Sequence, residues 1–387
     1  MRIMIAPAAY KGTMTPIQAT GAIIVGVLWA IPDAELLPYP IADGGTGWLD
    51  VWEVYLGKRA QRQTVEVRDA LGRPVEAKWL LLPSGTAILE SAQAVGIHFL
   101  QPHEYDALHA SSYGVGQMLH AAATHADTRR IWLGLGGVAT TDGGAGALSA
   151  LGFRLLDRRG RPIPPGGAGL RRLAKIIPPD TSPLQDYPLL LCVDVDNPFL
   201  DAARVFAPQK GATPQQVEQL LQGLERFAEV VLRDTGIDLT ILPGTGAAGG
   251  LAGGLRAYFR SRIKSGFSWL LRHLRLAERL ESVDYLITGE GQVDAKTLMG
   301  KGVGELVRHA VARGKKVVVL AGRKGPGWQQ LERLPGVKVV STRPIARRLG
   351  LGNEEGEPLF ALFATAAIAA KELFKNNDEA EPRNESE

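Results

Sequence analysis

The chain has 387 residues, 45% apolar and 22% charged, a composition that excludes a disordered or fibrous protein and is long enough for two domains. A single cysteine, Cys192, excludes an intrachain disulfide framework, and no apolar run has membrane-spanning length. The net charge is +4; because Asn376 to Glu387 hold five acids and one arginine, the body carries +8, which suits an anionic substrate, while no basic stripe with interleaved aromatics points to nucleic acid.

Arg2 to Ile5 reads as a short strand that ends at Pro7, followed by the turn Tyr10-Lys11-Gly12-Thr13. The start of the chain is too soon interrupted by Pro7 to read as a secretory signal, so the cytoplasm is the expected compartment. Thr15 and Pro16 predict a helix start, with the helix running to about Ala30. Lys11, between strand and helix, is placed as a point charge for phosphate. A second strand, Glu35 to Pro40, leads into Ile41-Ala42-Asp43-Gly44-Gly45, which sets a carboxylate among glycines ahead of a helix over Trp48 to Leu56. Val65 to Asp69 and Val75 to Leu82 predict a β-hairpin, and Thr86 to Glu90 a further strand. This β-rich passage suggests a second domain inserted into the first. A helix over Ser112 to His125 follows.

Ile131 to Gly152 is the richest stretch: a buried strand to Leu135, glycines at 134, 136, 137, 143 and 144, and a helix from Ala145. A strand, a glycine turn and a helix start together present N–H groups to an anion, which makes Gly136, Gly137, Thr140, Thr141, Asp142 and Gly143 candidate nucleotide contacts. Gly134 to Ala139 also fits the dinucleotide fingerprint, with Asp157 near the position of a ribose-binding acid. The helix, however, begins too late for that motif, so an NAD-dependent dehydrogenase is a minor alternative. Phe153 to Asp157 and Leu189 to Val193 read as strands. The second ends in Asp194-Val195-Asp196-Asn197-Pro198; residues two apart on a strand share a side, so Asp194 and Asp196, with Asn197, suit a hard cation such as Mg2+. Lys210 sits in another glycine turn before a long helix to Thr235, and Gly244 to Gly254 is a third glycine-rich loop, in which Gly249 and Gly250 offer N–H groups.

Tyr285 to Ile287 predicts a strand leading into Thr288 to Thr297, which holds Glu290 and Asp294, with Gly300-Lys301 beyond. A helix from Val303, strands Lys316 to Ala321 and Val337 to Ser341, and a helix Leu359 to Phe374 complete the alternation of an α/β sheet with ligand loops at strand ends. Neither a P-loop nor the protein-kinase motif set is present. Glycine turns, loop lysines and convergent carboxylates are nonetheless the inventory of a phosphoryl transferase.

These segments, in this order, resemble the glycerate kinase type-1 family: Tyr10-Lys11-Gly12, Ala42-Asp43-Gly44-Gly45, Ser112-Tyr113-Gly114, Gly134 to Gly144, Asp194 to Pro198, Pro208 to Ala212, Gly246 to Leu251, and Ile287 to Gly291 with Asp294, Thr297 and Gly300-Lys301. The resemblance implies a two-domain glycerate kinase-like fold, in which a flavodoxin/Rossmann-like parallel-sheet domain (1–60 plus 265–375) carries an inserted α/β domain (61–264), with the active site in the cleft between them. The polar, acidic composition of 376–387 predicts a disordered tail. The resemblance also implies ATP-dependent phosphorylation of a small hydroxy acid, D-glycerate to 2-phosphoglycerate, with ATP as co-substrate and Mg2+.

The expected catalytic residues are Asp194, Lys11, Lys210, Asp43, Glu290 and Asp294, and the expected metal ligands Asp194, Asp196 and Asn197; Lys301 joins the glycine loops as a nucleotide contact. The small-molecule partners are the hydroxy acid and ATP, with no nucleic acid and no membrane, and the reading leaves room for a homodimer. Six motif positions depart from the family's usual pattern: Ala8 and Ala9 stand for Asp and Ser, Thr46 for Glu, Val138 for Ser, Thr141 for Asn, and Gln292 for Arg. They motivate a second alternative, a non-catalytic relative that binds a ligand, and they put the recognition of the acid at issue.

Overall fold

The computed structural model describes residues 1–299, 302–352 and 357–378. Its strands in chain order are β1 (Arg2–Pro7), β2 (Glu35–Pro38), β3 (Gln61–Arg68), β4 (Pro74–Leu81), β5 (Thr86–Glu90), β6 (Arg130–Leu135) and β7 (Arg154–Leu156). They continue as β8 (Lys175–Ile177), β9 (Leu189–Val193), β10 (Ser261–Ser265), β11 (Tyr285–Val293), β12 (Lys316–Lys324) and β13 (Val337–Ser341). The chain divides into two compact units: residues 1–43 with the described residues from 267 onward, and Gly44–Gly266.

The first unit is built on a five-stranded sheet in the order β13-β12-β11-β1-β2, parallel throughout. Its strands are near-continuous apolar runs because helices cover them: Ile3, Met4 and Ile5, and Val317 to Ala321, are all buried. Helix Pro16–Ala30 begins with a capping box in which the Thr15 hydroxyl accepts from the Gln18 N–H and the Gln18 side chain accepts from the Thr15 N–H. It packs against helix Glu357–Asp378 so closely that a Cβ at Gly26 would fall on the Phe363 carbonyl oxygen. The second helix takes in the backbone of the first residues of the expected disordered tail; the rest of that segment lies outside the described residues. β11 and β12 run beyond the expected Ile287 and Ala321. The glycines at 289, 291 and 322 do not end these strands, and register persists to Gln292/Arg323 and Val293/Lys324.

The second unit carries a six-stranded sheet, β10-β9-β6-β5-β4-β3. β10, β9, β6 and β5 are parallel, and the β3–β4 hairpin extends them antiparallel. β7 falls within the strand expected over Phe153 to Asp157, whereas β10 and β8, its partner in a separate antiparallel pair, are elements that the periodicity did not announce. Helix Trp48–Leu56, expected in the first domain, belongs here. Trp48 packs edge-on against Trp52 at 5.5 Å, and Trp52 against Trp132 of β6 at 5.4 Å. The division expected near residue 60 therefore falls between Asp43 and Gly44. The unit's hydrophobic core is drawn from Val67 to Phe259, all residues of this unit. Among the described residues no helix is long and apolar enough to cross a membrane.

Candidate active site

In the second unit, loops at the C-terminal ends of β6 and β9 meet two glycine turns. The loop after β6 is tied to the turn at Gly249, where the Gly143 N–H donates to the Gly249 carbonyl at 3.0 Å. Gly249 has φ +69°, and a Cβ there would collide with the Thr140 carbonyl oxygen, so only glycine fits. Lys210 Nζ, buried, donates to that same Thr140 oxygen at 2.6 Å. The Gly244 N–H donates to the Asp196 carbonyl and the Gly246 N–H to the Asn197 carbonyl, at 3.0 and 3.1 Å, which joins the β9 loop to the cluster. Asp194 is half-buried and Asp196 exposed at the end of β9. Asn197 donates its amide to Asp201 at 2.7 Å.

Several expected anion-binding groups have other duties. The N–H groups of Gly136, Gly143 and Gly250 donate within the protein, to Ser91 Oγ, the Gly249 carbonyl and the Gly246 carbonyl. Gly136 and Gly137 lie under the Gly45-Thr46 turn. Asp142 is wholly buried; its carboxylate accepts from the Ser112 N–H and hydroxyl (both 2.8 Å) and from the Gly144 and Gly146 N–H groups (both 3.1 Å). Burial raises its proton affinity and these donors oppose the rise. It is the internal strut of the loop. The hydroxyls of Thr140 and Thr141 are buried without a hydrogen-bond partner among the described residues. Burial brings the Lys210 ammonium down to about 8, against the pull of Asp142.

Sequence reasoning missed Glu90 and Ser112 as organising residues. Glu90 ends the buried run of β5 and accepts from the Gly47 and Leu49 N–H groups at 3.2 and 2.8 Å, supplying the cap that helix Trp48–Leu56 lacks. Burial pushes its carboxyl up to about 7, with the backbone donors opposing. A lone acid closing an apolar strand was the available signal.

The first unit holds the other set. Thr297 donates its hydroxyl to Glu290 Oε1 at 2.8 Å and accepts from the Asp294 N–H at 3.1 Å. Asp294 in turn accepts from the Gln292 amide at 2.6 Å and the Lys296 N–H at 2.8 Å. Burial raises Glu290 to about 7; Asp43 and Asp294 add to the rise, while the Thr297 hydrogen bond and Lys11 oppose it. Lys11, Asp43, Glu290 and Asp294 are thus brought into one electrostatic cluster, with Thr297 as its hinge. Lys301 lies outside the described residues.

A model of the glycerate kinase family matches residues 3–353. The chain belongs to the glycerate kinase family. A glycerate kinase from Halalkalibacterium halodurans is 38% identical over 334 residues, covering 84% of this chain and 87% of its own. The glycerate 2-kinase of Escherichia coli is 34% identical over 327 residues, 83% and 85% of the two chains. A crystal structure from Salmonella typhimurium, provisionally designated glycerate kinase 2, matches with a TM-score of 0.74 and 32% identity, over 98% of this chain and 99% of that one. This member of the family is a kinase with the two-sheet α/β architecture described above. The dinucleotide alternative is not favoured: Asp157 turns inward to accept from the Arg159 and Arg161 N–H groups at 2.8 and 2.9 Å, as a local turn residue.

Proposed function

We propose that this chain transfers the γ-phosphoryl group of ATP to D-glycerate and forms 2-phosphoglycerate. The observation that carries the mechanism is Glu290: a half-buried carboxyl held by Thr297, among Lys11, Asp43 and Asp294, with a proton affinity near neutrality. Such a group accepts the proton of an attacking hydroxyl at working pH. Asp43 and Asp294 keep its affinity high, and Lys11 offsets negative charge as the phosphoryl group moves.

In the second unit Lys210 brings positive charge to the glycine loops, and the Thr140 and Thr141 hydroxyls have no hydrogen-bond partner among the described residues, which supports nucleotide phosphates as the anion handled there. Asp142 and Glu90 act as positioning residues behind these loops. The carboxylates of Asp194 and Asp196 are hard oxygen donors, as Mg2+ requires, and Asn197 adds an amide oxygen. Among the described residues no three acidic, histidine or cysteine side chains form a metal cluster. That set fits an ion that arrives on nucleotide phosphates and keeps several waters rather than one in an all-protein cage. Bound there, Mg2+ supplies charge neutralisation to the phosphates. The proposed setting is the cytoplasm.

Coupled ADP release with D-glycerate, and phosphorus NMR of the product, tests this reading. The expected product is a phosphomonoester coupled to a single methine proton. No ADP release at saturating ATP, Mg2+ and D-glycerate sinks the kinase reading for this acid and leaves a ligand-binding relative.

A further inference from the structure

β11 and β12 continue beyond their sheet neighbours as a parallel ribbon, with Glu290/Ala321, Gln292/Arg323 and Val293/Lys324 in register. Side chains alternate along a strand and register partners share a side. Glu290, Gln292 and Arg323 therefore lie on one face. The other face is closed. There Gly289 and Gly291 abut the Tyr10 hydroxyl and the Lys11 main chain, and Val293 is buried. Lys324, on that side, stands 3.5 Å over the centre of the Trp328 ring. Arg323 is exposed, and among the described residues its guanidinium has neither hydrogen-bond nor ion-pair partner. The Gln292 amide beside it is committed to Asp294.

We propose that Arg323 binds the carboxylate of the acid substrate and so determines specificity for a 2-hydroxy acid; this rests on the proposed glycerate kinase reaction with Glu290 as base. Glu290 and Arg323 are offset by two residues along the ribbon and one strand across it, about 8 Å between main chains. A hydroxyl and a carboxylate on the same carbon are separated by about 3 Å between oxygens, and one hydrogen bond of about 2.8 Å at each end spans about the same 8 Å. The guanidinium fork matches a planar carboxylate in two parallel hydrogen bonds. An arginine set this close beside the base selects for an acid and against a neutral alcohol.

The test compares Arg323→Ala and Arg323→Lys with the unaltered protein, measuring kcat and KM for D-glycerate, for its neutral amide and for ATP. Arg323→Ala is expected to raise the KM for D-glycerate by about 10- to 100-fold, to leave the KM for ATP within two-fold, and to leave turnover of the amide at the unaltered protein's level. Arg323→Lys is expected to restore part of the loss. Because Arg323 is exposed and unpaired, both variants are expected to keep the parent melting temperature. An unchanged KM for D-glycerate overturns the assignment while the kinase reading stands. A raised KM for ATP instead makes Arg323 a phosphate contact and also overturns it. Absence of turnover in the unaltered protein overturns both.

Discussion

Two glutamates, Glu90 wholly buried and Glu290 half-buried, dominate the chemistry at the residue scale, and they act in different ways. Glu290 needs its ionised form to accept a proton, so kcat/KM for D-glycerate is expected to rise with pH through about 7 and then level. Glu290→Gln is expected to lower kcat on the order of 10²-fold or more and to abolish that limb of the profile; a profile unchanged in the variant assigns the proton to another group. Glu90 acts on stability. Its affinity is higher in the folded chain than the ordinary 4.5, so the folded state binds more protons between 4.5 and about 7. Stability therefore falls as pH rises through that window, by roughly 3 kcal/mol in all for a fully buried group. Thermal melts from pH 5 to pH 8 should show a steeper decline for the parent than for Glu90→Gln, and parallel curves would remove Glu90 from the ledger. Asp194 lies at the end of β9 with a half-buried carboxylate. Asp194→Asn should lose on the order of 10²-fold in kcat with little change in melting temperature if its charge serves the reaction, whereas near-normal turnover makes it a turn residue.

Among the elements, the glycine loops of the second unit behave as one interlocked body. Gly249 lies against the Thr140 carbonyl, and Lys210 donates to the same oxygen. Gly249→Ala introduces both a collision and a positive-φ side chain, so it is expected to destabilise the unit by about 1–3 kcal/mol and to raise the KM for ATP more than that for the acid. Urea unfolding with initial-rate kinetics measures both, and equal effects on the two substrates would separate this loop from the nucleotide. The same packing changes the meaning of the motif departures. Val138 is buried in the core, and Thr141 is wholly buried. A hydroxyl at position 138 would enter a packed interior, so that substitution bears on stability. Ala8, Ala9, Thr46 and Gln292 keep some exposure, and Gln292 holds Asp294.

For the whole molecule, the asymmetry of the two units is decisive. Gly44–Gly266 is one continuous segment whose core comes entirely from its own side chains. The first unit needs two distant segments, since β1 pairs with β11 across Ile3/Tyr285 to Pro7/Gly289. A fragment spanning 44–266 is therefore expected to fold alone with a cooperative transition, reported by its clustered Trp48, Trp52 and Trp132. A fragment ending at residue 43 is not. A non-cooperative melt of 44–266 would show that its core depends on the rest of the chain.

The amino-acid sequence by itself determined the strand and helix alternation, the positions of the glycine loops and the placing of Lys11 and Asp43 in loops after strands and of Lys210 in a turn before a helix. These are local properties: apolar runs, caps such as Thr15 and Thr213, and glycine clusters act over a few residues. What lies at long range needed the tertiary structure. Glu90 caps a helix more than forty residues before it, Asp142 faces Ser112 thirty residues away, and Arg323 comes beside Gln292 only through strand pairing. The same holds for the domain boundary, which falls where Trp48 and Trp52 find Trp132 rather than where the composition changes. Burial gives these groups their chemistry: Glu90, Glu290 and Lys210 are shifted first by loss of water. Desolvation depends on what the rest of the chain packs around a residue, and no local pattern encodes it.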